Sequence, residues 1–264
     1  MPRVCASIGR VCWLSVVGSL VLLGQGRQTS PPSSPLAPEV RHYPPELLVT
    51  VGIGWGFQSG TFRGSCSQDF TNGRSQSWLV GLSYSLPLTA TWLWGASPLF
   101  LLTKVQASYR EREQLTFARP EDTISVPVET RNRAELTLPM LVLWSYLRWR
   151  PTPWLVFSVG PAVGIPLGSR FHHEKEPIQH SVVLSTGEIF TLPETGPLRV
   201  ETGRLPPRLA WSGLAHVGGD IVIARSWWLS FGLYFWVPLS AMLQPPATLR
   251  LFHSSLTLSL GKSW

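Results

Sequence analysis

From Phe252 to Trp264 the even positions carry Phe252, Leu256, Leu258, Leu260 and Trp264, while the odd positions carry His253, Ser255, Thr257, Ser259, Gly261 and Ser263. A period of two puts the large residues on one face of a strand and the small polar ones on the other. The same alternation returns seven more times between Leu47 and Leu239, with almost no helical material to form a covering layer. A single sheet layer with an oily face can bury that face in lipid, provided it closes on itself and leaves no edge unpaired. The expectation is an all-β protein, an eight-stranded antiparallel transmembrane β-barrel.

Composition agrees. Charged residues make up 14% of the chain, against ~25% in an average soluble domain. The chain also has 13 Trp, 23 Gly and 24 Pro, too much punctuation for long helices. The formal net charge of +7 forms no basic stripe on any strand, so nucleic acid is not an expected partner. A phosphate-binding loop, a CxxC pair and a nucleophile elbow are all missing from the sequence, and no cofactor is expected.

Residues 1–26 read as a secretory signal peptide: Arg3 and Arg10, an uncharged stretch from Val11 to Leu23, then Gly24-Gln25-Gly26. The apolar stretch is short for a membrane anchor of ~20 residues, which is the competing reading. Cys5 and Cys12 leave with the signal, so Cys66 remains as a lone thiol. Residues 27–45, with six prolines among Ser, Thr and Ala, read as an extended spacer. The barrel is expected over 46–264.

The large residues are assigned to lipid in every segment. On the first strand these run from Leu47 to Phe57, on the second from Trp78 to Leu86, and on the seventh from Trp227 to Leu239. The fifth and sixth read the same way, with Phe157, Val159, Trp211 and Val217 outward. This rule sends Leu99, Leu101, Val105, Ala107 and Tyr109 of the third segment to lipid, and Lys104, Gln106, Ser108 and Arg110 inward. In the fourth it sends Leu136 to Tyr146 outward and Glu135, Thr137, Pro139 and Ser145 inward, although Leu141 and Leu143 spoil the alternation. Links alternate between short (89–96, 150–153, 225–226) and long (59–76, 111–133, 169–206), with a shorter one on the long side at 241–248, the habit of outer-membrane barrels. Trp92, Trp94, Trp149, Trp154, Trp227, Trp228 and Trp264 gather at the short-turn end as an aromatic girdle. Two architectures compete. A helical multi-pass protein is disfavoured by Gly81, Pro87, Gly95 and Pro98 in the uncharged stretch before Lys104, and a lipocalin-like barrel by the Gly, Ser and Thr opposite the large residues.

The fourth segment, Glu135-Leu136-Thr137-Leu138-Pro139-Met140-Leu141-Val142-Leu143, resembles a strand of the PorT-like outer-membrane β-barrel proteins of Bacteroidota and related Gram-negative bacteria. Gly160-Pro161-Ala162-Val163-Gly164 is similar to that family's Gly-Pro strand. Thr137 and Leu143 stand where the family has Glu and Lys, so an internal salt bridge between those positions is absent. The resemblance covers roughly Leu47 to Trp264 and implies an outer-membrane location and, from one family member, a possible link to protein secretion. For Phe252, Leu256, Leu258, Leu260 and Trp264 it implies a C-terminal assembly signal read by the barrel-assembly machinery.

Glu46, Lys104, Gln106, Arg110, Glu135, His216, Asp220 and His253 all fall on faces assigned to the lumen. An eight-stranded barrel is just wide enough for side chains to fill, so these groups are expected to pair with one another as a plug. A narrow pore and a catalytic site are the other readings. Ser, His and an acid recur in no convincing order and His253 with Ser255 is only a period-two pair, so no catalytic residue and no enzymatic activity are expected. The run from Phe171 to His180 holds metal-ligand residue types, but its spacing fits no zinc pattern and it reads as a solvated loop; no metal site is expected. Ser181 to Leu192 alternates around Ser185-Thr186-Gly187 and reads as a hairpin beyond the membrane. The functional expectation is a monomeric outer-membrane barrel with a structural or partner-binding envelope role, displaying the loops around Cys66, Arg112 and His172. A small passive channel is the alternative, and an outer-membrane lipid-modifying enzyme the third reading. Expected partners are outer-membrane lipid, the assembly machinery and an envelope or secretion-system protein.

Overall fold

The structure is a computed structural model and describes residues 44–64, 68–118, 123–183, 187, 189–192 and 196–264. The signal peptide, all of the spacer but Pro44 and Pro45, and Cys66 lie outside the described residues.

Twelve strands form among the described residues: β1 (Glu46–Ser59), β2 (Gly73–Pro87), β3 (Trp92–Ala118), β4 (Thr123–Thr152), β5 (Leu155–Pro166), β6 (Arg170–Pro177), β7 (Ser181–Val183), β8 (Ile189–Thr191), β9 (Leu198–Gly203), β10 (Ala210–Ala224), β11 (Trp227–Pro238) and β12 (Arg250–Ser263). Eight of them, in the order β3-β2-β1-β12-β11-β10-β5-β4, pair as antiparallel neighbours, and pairing of β3 with β4 closes the ring. Each expected segment corresponds to one of these strands. Closure pairs the first and last strands over their whole length, from Glu46 opposite Ser263 to Ser59 opposite Arg250. No helix among the described residues is long and apolar enough to cross a membrane.

The outer surface carries a band that water would not tolerate. Val49, Val51, Ile53, Trp55 and Phe57 of β1 are all exposed, as are Trp78, Val80, Leu82 and Tyr84 of β2 and Phe231, Leu233, Phe235 and Val237 of β11. On β1 the outward apolar run from Leu47 to Phe57 spans about 33 Å of strand at ~3.3 Å per residue, or about 25 Å of height at a tilt of ~40°. That matches the hydrocarbon band of an outer-membrane barrel. At the short-turn end Trp92 stacks on Trp149 at 6.0 Å, Trp149 on Phe157 at 5.6 Å and Tyr84 on Trp264 at 6.3 Å. The Lys262 ammonium sits 5.3 Å from the Trp227 ring, its stem along the belt and its charge at the girdle. Trp228 departs from the expected girdle: it is buried and points into the lumen.

Two strands face the other way from the sequence expectation. On β3 the outward residues are Phe100 and Leu102, then Lys104, Gln106 and Ser108, while Leu99, Leu101, Val105 and Ala107 are buried inside. On β4 Leu136, Leu138, Met140, Val142, Trp144 and Tyr146 line the interior, and Leu143, Leu147 and Trp149 face lipid. The reason is that both strands run far above the belt. Within the membrane their two faces are both apolar, and the clean alternation starts only near Thr103, where the outside meets water and the inside meets a packed core. The rule that large residues face lipid reverses there. Thr137 and Leu143 consequently stand on the outward face, with Leu143 48% exposed, so a charge pair at those positions would not be internal.

The segments expected as loops at 111–133 and at Phe171 to His180 are largely strand. Beyond the lipid belt β3 and β4 stay paired up to Ala118 opposite Thr123, β6 pairs with β4 from Thr137 to Thr130, and β9 pairs with β6. Strands β7 and β8 form the expected hairpin, Ser181 opposite Thr191, but as a separate two-stranded sheet. Val182 and Phe190 of this hairpin pack with buried Val126, Val128 and Leu192.

Candidate functional site

The lumen is filled in three tiers. At the short-turn end Glu46 of β1, 2% exposed, receives both Arg148 and Arg150 of β4. Arg148 Nη1 lies 3.3 Å from Glu46 Oε2, Arg150 Nη1 bonds Oε1, and Arg150 Nη2 reaches Asp220 Oδ2 of β10 at 2.8 Å. Arg148 also donates to Ser158 Oγ at 3.3 Å and lies 5.2 Å from the Tyr146 ring, while Arg150 lies 5.7 Å from the Trp228 ring. Two guanidinia meet two carboxylates in a closed four-charge network, the form in which buried charge is tolerable.

Above it the wall is lined by hydroxyls that satisfy one another: Thr50 with Ser259 at 2.8 Å, Ser83 with Ser97 at 2.8 Å, and Ser85 with Tyr146 at 2.9 Å. Between them stand Trp144, Tyr146, Tyr234 and His216. The Trp144 ring is 4.3 Å from Tyr146 and 5.4 Å from Tyr234, and the His216 ring is 4.5 Å from Tyr234. Gly232 and Gly218 of the neighbouring wall make room for this imidazole, since a Cβ on Gly232 would lie 2.1 Å from His216 Nε2.

His253 of β12 sits higher, with Nε2 2.5 Å from Ser77 Oγ and 2.8 Å from Ser255 Oγ. A nucleophile-base pair needs a third group to orient the base through its other nitrogen. Among the described residues no polar atom meets Nδ1 of His253. The void beside it, between Met140, Trp236 and Leu251, measures about 10 Å³, which holds at most about one water.

The top is closed by aromatic residues. Phe62 and Phe70 stack at 5.4 Å, Phe171 meets Phe62 edge-on at 6.2 Å, and Phe70 lies 4.9 Å from Tyr109 and 5.4 Å from His173. His173, 1% exposed, donates from Nε2 to Asn132 Oδ1 at 3.0 Å. Burial holds its imidazole below the usual range, with Glu201 opposing that effect and Lys175 and His172 adding to it. The unfolded chain titrates at ~6.5, so this tier is most stable with the ring neutral and loses stability as pH falls below that value toward the lowered folded one.

Of the eight residues assigned to the lumen, Glu46, His216, Asp220 and His253 project inward. Lys104, Gln106, Arg110 and Glu135 do not: they stand on the outer face above the belt, where Lys104 pairs with Glu135 at 2.8 Å and the two side chains are 47% and 38% exposed. Arg148 and Arg150, the cations of the floor, escaped the sequence reading. Their even numbers put them on the face of Tyr146, and correct facing of β4 would have found them. Of the C-terminal set, Leu256, Leu258, Leu260 and Trp264 face outward, and Phe252 stacks on Phe57 at 5.1 Å. No metal-ligating group of His, Cys, Asp and Glu occurs among the described residues.

No protein-family model matches the sequence, and no curated protein matches it. Solved structures are similar in outline. Ail, the attachment invasion locus protein of Yersinia pestis, superposes with a TM-score of 0.28 at 10% identity over 83% of this chain and 98% of Ail. Neisserial surface protein A gives 0.29 at 9% identity, over 83% of this chain and 97% of that one. The outer membrane protein OprG from Pseudomonas aeruginosa gives 0.37 at 8% identity, over 84% and 97%. At such scores the likeness ends at general outline, and the architecture follows from strand pairing and surface. A closed antiparallel ring of eight strands, belted in apolar side chains and rimmed with Trp, defines an outer-membrane β-barrel protein. Its place is the outer membrane of a Gram-negative envelope.

Proposed function

We propose that this barrel is a structural, partner-binding envelope protein whose working surface is the sheet above the belt, and that it is non-catalytic and non-conducting. One observation carries the reading: the lumen is occupied from the Glu46-Arg148-Arg150-Asp220 floor to the Phe62-Phe70-Phe171 lid, while β3 and β4 continue as a paired ladder beyond the lipid. An ordered sheet joined by β6 and β9 suits recognition better than a set of solvated loops. Its partner is an envelope protein, and the resemblance of Leu136–Leu143 and Gly160–Gly164 to the PorT-like family supports one belonging to a secretion system.

The test has two arms. In planar bilayers the purified barrel is expected to give no steady conductance, whereas discrete openings would establish the channel reading instead. Replacing residues 110–131 by an Asn-Gly turn is expected to leave insertion intact and to abolish capture of the envelope partner by the tagged barrel. Equal capture by the trimmed barrel would exclude the extramembrane sheet as the working surface.

Assembly supplies a further prediction. Trp264, 60% exposed beside Tyr84, is available both to the membrane interface and to the insertion machinery. Deleting it is expected to lower the amount inserted in the outer membrane several-fold while export across the inner membrane continues. Unchanged outer-membrane levels would reduce Trp264 to a girdle residue.

A further inference from the structure

The outward wall of the extramembrane sheet holds a groove of about 800 Å³ that opens directly off the belt. Its lower rim is Phe57, 60% exposed and stacked on Phe252. From there the wall follows one register row: Phe57 is opposite Arg74, Arg74 opposite Gln106, Gln106 opposite Glu135, and Glu135 opposite His172. All five lie on the face that two steps lower carries Trp78 and Leu102 into lipid.

The charges of this sheet are sided. Arg74, Lys104, Arg110, Arg131 and Arg133 stand outward, in excess over Glu129, Glu135, Glu174 and Glu176, whereas the inward face carries Glu111 and Glu113 with Lys175. Arg133, 54% exposed, shares Glu176 with Arg131. Arg74 is exposed at the mouth of the groove, and no ion pair to it is formed among the described residues.

We infer that this groove binds the headgroup of a phosphate-bearing membrane glycolipid, whose acyl chains lie on the belt below Phe57 and Trp78. An amphiphile is required because the apolar belt and the polar groove share one continuous wall. A guanidinium fork at the headgroup level is suited to phosphate. Glu135 and Glu174 would repel a bare anion, but they accept hydrogen bonds from sugar hydroxyls, and the groove is far larger than a phosphate ion. The inference rests on the membrane-embedded barrel proposed above, although not on any protein partner.

The test uses the whole barrel in an uncharged detergent. Diphosphoryl lipid A, inorganic phosphate and phosphatidylethanolamine are titrated in turn, binding is read by native mass spectrometry, and the heat-modifiable gel shift reports folding of each variant. Lipid A is expected to bind the native barrel saturably, and the other two are not. At roughly fivefold per cation near an anionic surface, Arg74→Glu with Arg133→Glu should weaken lipid A binding at least about 25-fold. Arg74→Gln alone, at an exposed site, should weaken it about fivefold by the same scale. The matched pair Arg110→Glu and Arg112→Glu stands four and six residues along β3 from Gln106, the partner of Arg74, or about 13 and 20 Å from that row at ~3.3 Å per residue; beyond a Debye length of ~8–10 Å, it should change binding less than about twofold. The proposal is overturned if inorganic phosphate binds as tightly as lipid A, if native barrel ignores lipid A, or if folded Arg74 variants bind like the native protein. A native protein without a heat-modifiable form would instead sink the barrel reading beneath it.

Discussion

Glu46→Leu is expected to destabilise the barrel by about 3–5 kcal/mol, the cost of removing one partner from a buried ion network. Glu46 accepts from both guanidinia: Arg148 at 3.3 Å on one oxygen and Arg150 on the other, all three side chains at most 6% exposed. Without it Asp220 still holds Arg150 at 2.8 Å, but among the described residues Arg148 keeps as direct partners Ser158 and the Tyr146 ring. One full charge is then left uncompensated in a closed space. A second substitution separates this account from simple loss of packing. In Glu46→Leu with Arg148→Met the remaining Arg150 and Asp220 balance one to one, and most of the lost stability should return through coupling between the two sites. Urea unfolding of each variant in detergent, followed by the heat-modifiable gel shift, supplies the numbers. If the double variant is no more stable than Glu46→Leu alone, charge balance is not what holds the floor together.

The barrel was legible in the sequence because lipid imposes a simple code. Where one face meets hydrocarbon and the other a narrow lumen lined largely by Gly, Ser and Thr, as on β1, β2 and β12, period two gives both the strand and its facing. The code is ambiguous on β3 and β4 for a physical reason. Their inner faces, with Leu99, Leu101, Met140, Val142 and Trp144, build a dry core, so inside is as apolar as outside. Higher up, where the outer face meets water, Lys104, Gln106 and Glu135 alternate with Val105 and Leu136 in a pattern that reads as polar inward if the membrane is assumed to continue. A strand of 27 residues, as β3 is, far exceeds the ~10 needed to cross; its excess falls in the stretch that the sequence suggests is a loop, so nothing in the periodicity marks where the facing rule changes.

The site suffered from the same ambiguity. Glu46, Asp220 and His216 sit on strands of clear parity and could be placed. Arg148 and Arg150 sit at the end of a strand whose parity was misread, so the cations that neutralise Glu46 and Asp220 could not be recognised as their partners. Register also decides what periodicity never reports: that His253 reaches over Gly54 of β1 to Ser77 of β2, or that Gly232 is small because the His216 ring occupies the place of its side chain.

Leu143→Arg tests the facing of β4 directly. Leu143 lies opposite Pro98 of β3 and Val163 of β5, about midway between the Trp149 girdle and the level of Lys104, and it is 48% exposed. An arginine facing lipid at mid-depth costs about 2–4 kcal/mol, and Leu233→Arg, at the centre of β11, should cost the same. Were Leu143 instead inside, as the imperfect alternation suggested, its arginine would reach the lumen polar groups and the penalty would depend on packing alone. The two positions therefore serve as each other's control. A comparison with Gly232→Ser completes the set, because a Cβ there comes within 2.1 Å of His216 Nε2 and 2.9 Å of the Val217 carbonyl oxygen. Neither the imidazole, packed on Tyr234, nor the backbone can retreat, and overpacking of this kind costs about 1–3 kcal/mol. Folding into bilayers of defined thickness, measured as the equilibrium unfolding free energy, should rank the two arginine variants together and both below the serine variant. Thinner bilayers should relieve the arginine variants, whose charge is then nearer the interface, and leave Gly232→Ser unchanged. An arginine at position 143 that is tolerated while the one at 233 is not would reverse the facing of β4, and with it the placement of Arg148 and Arg150 in the floor.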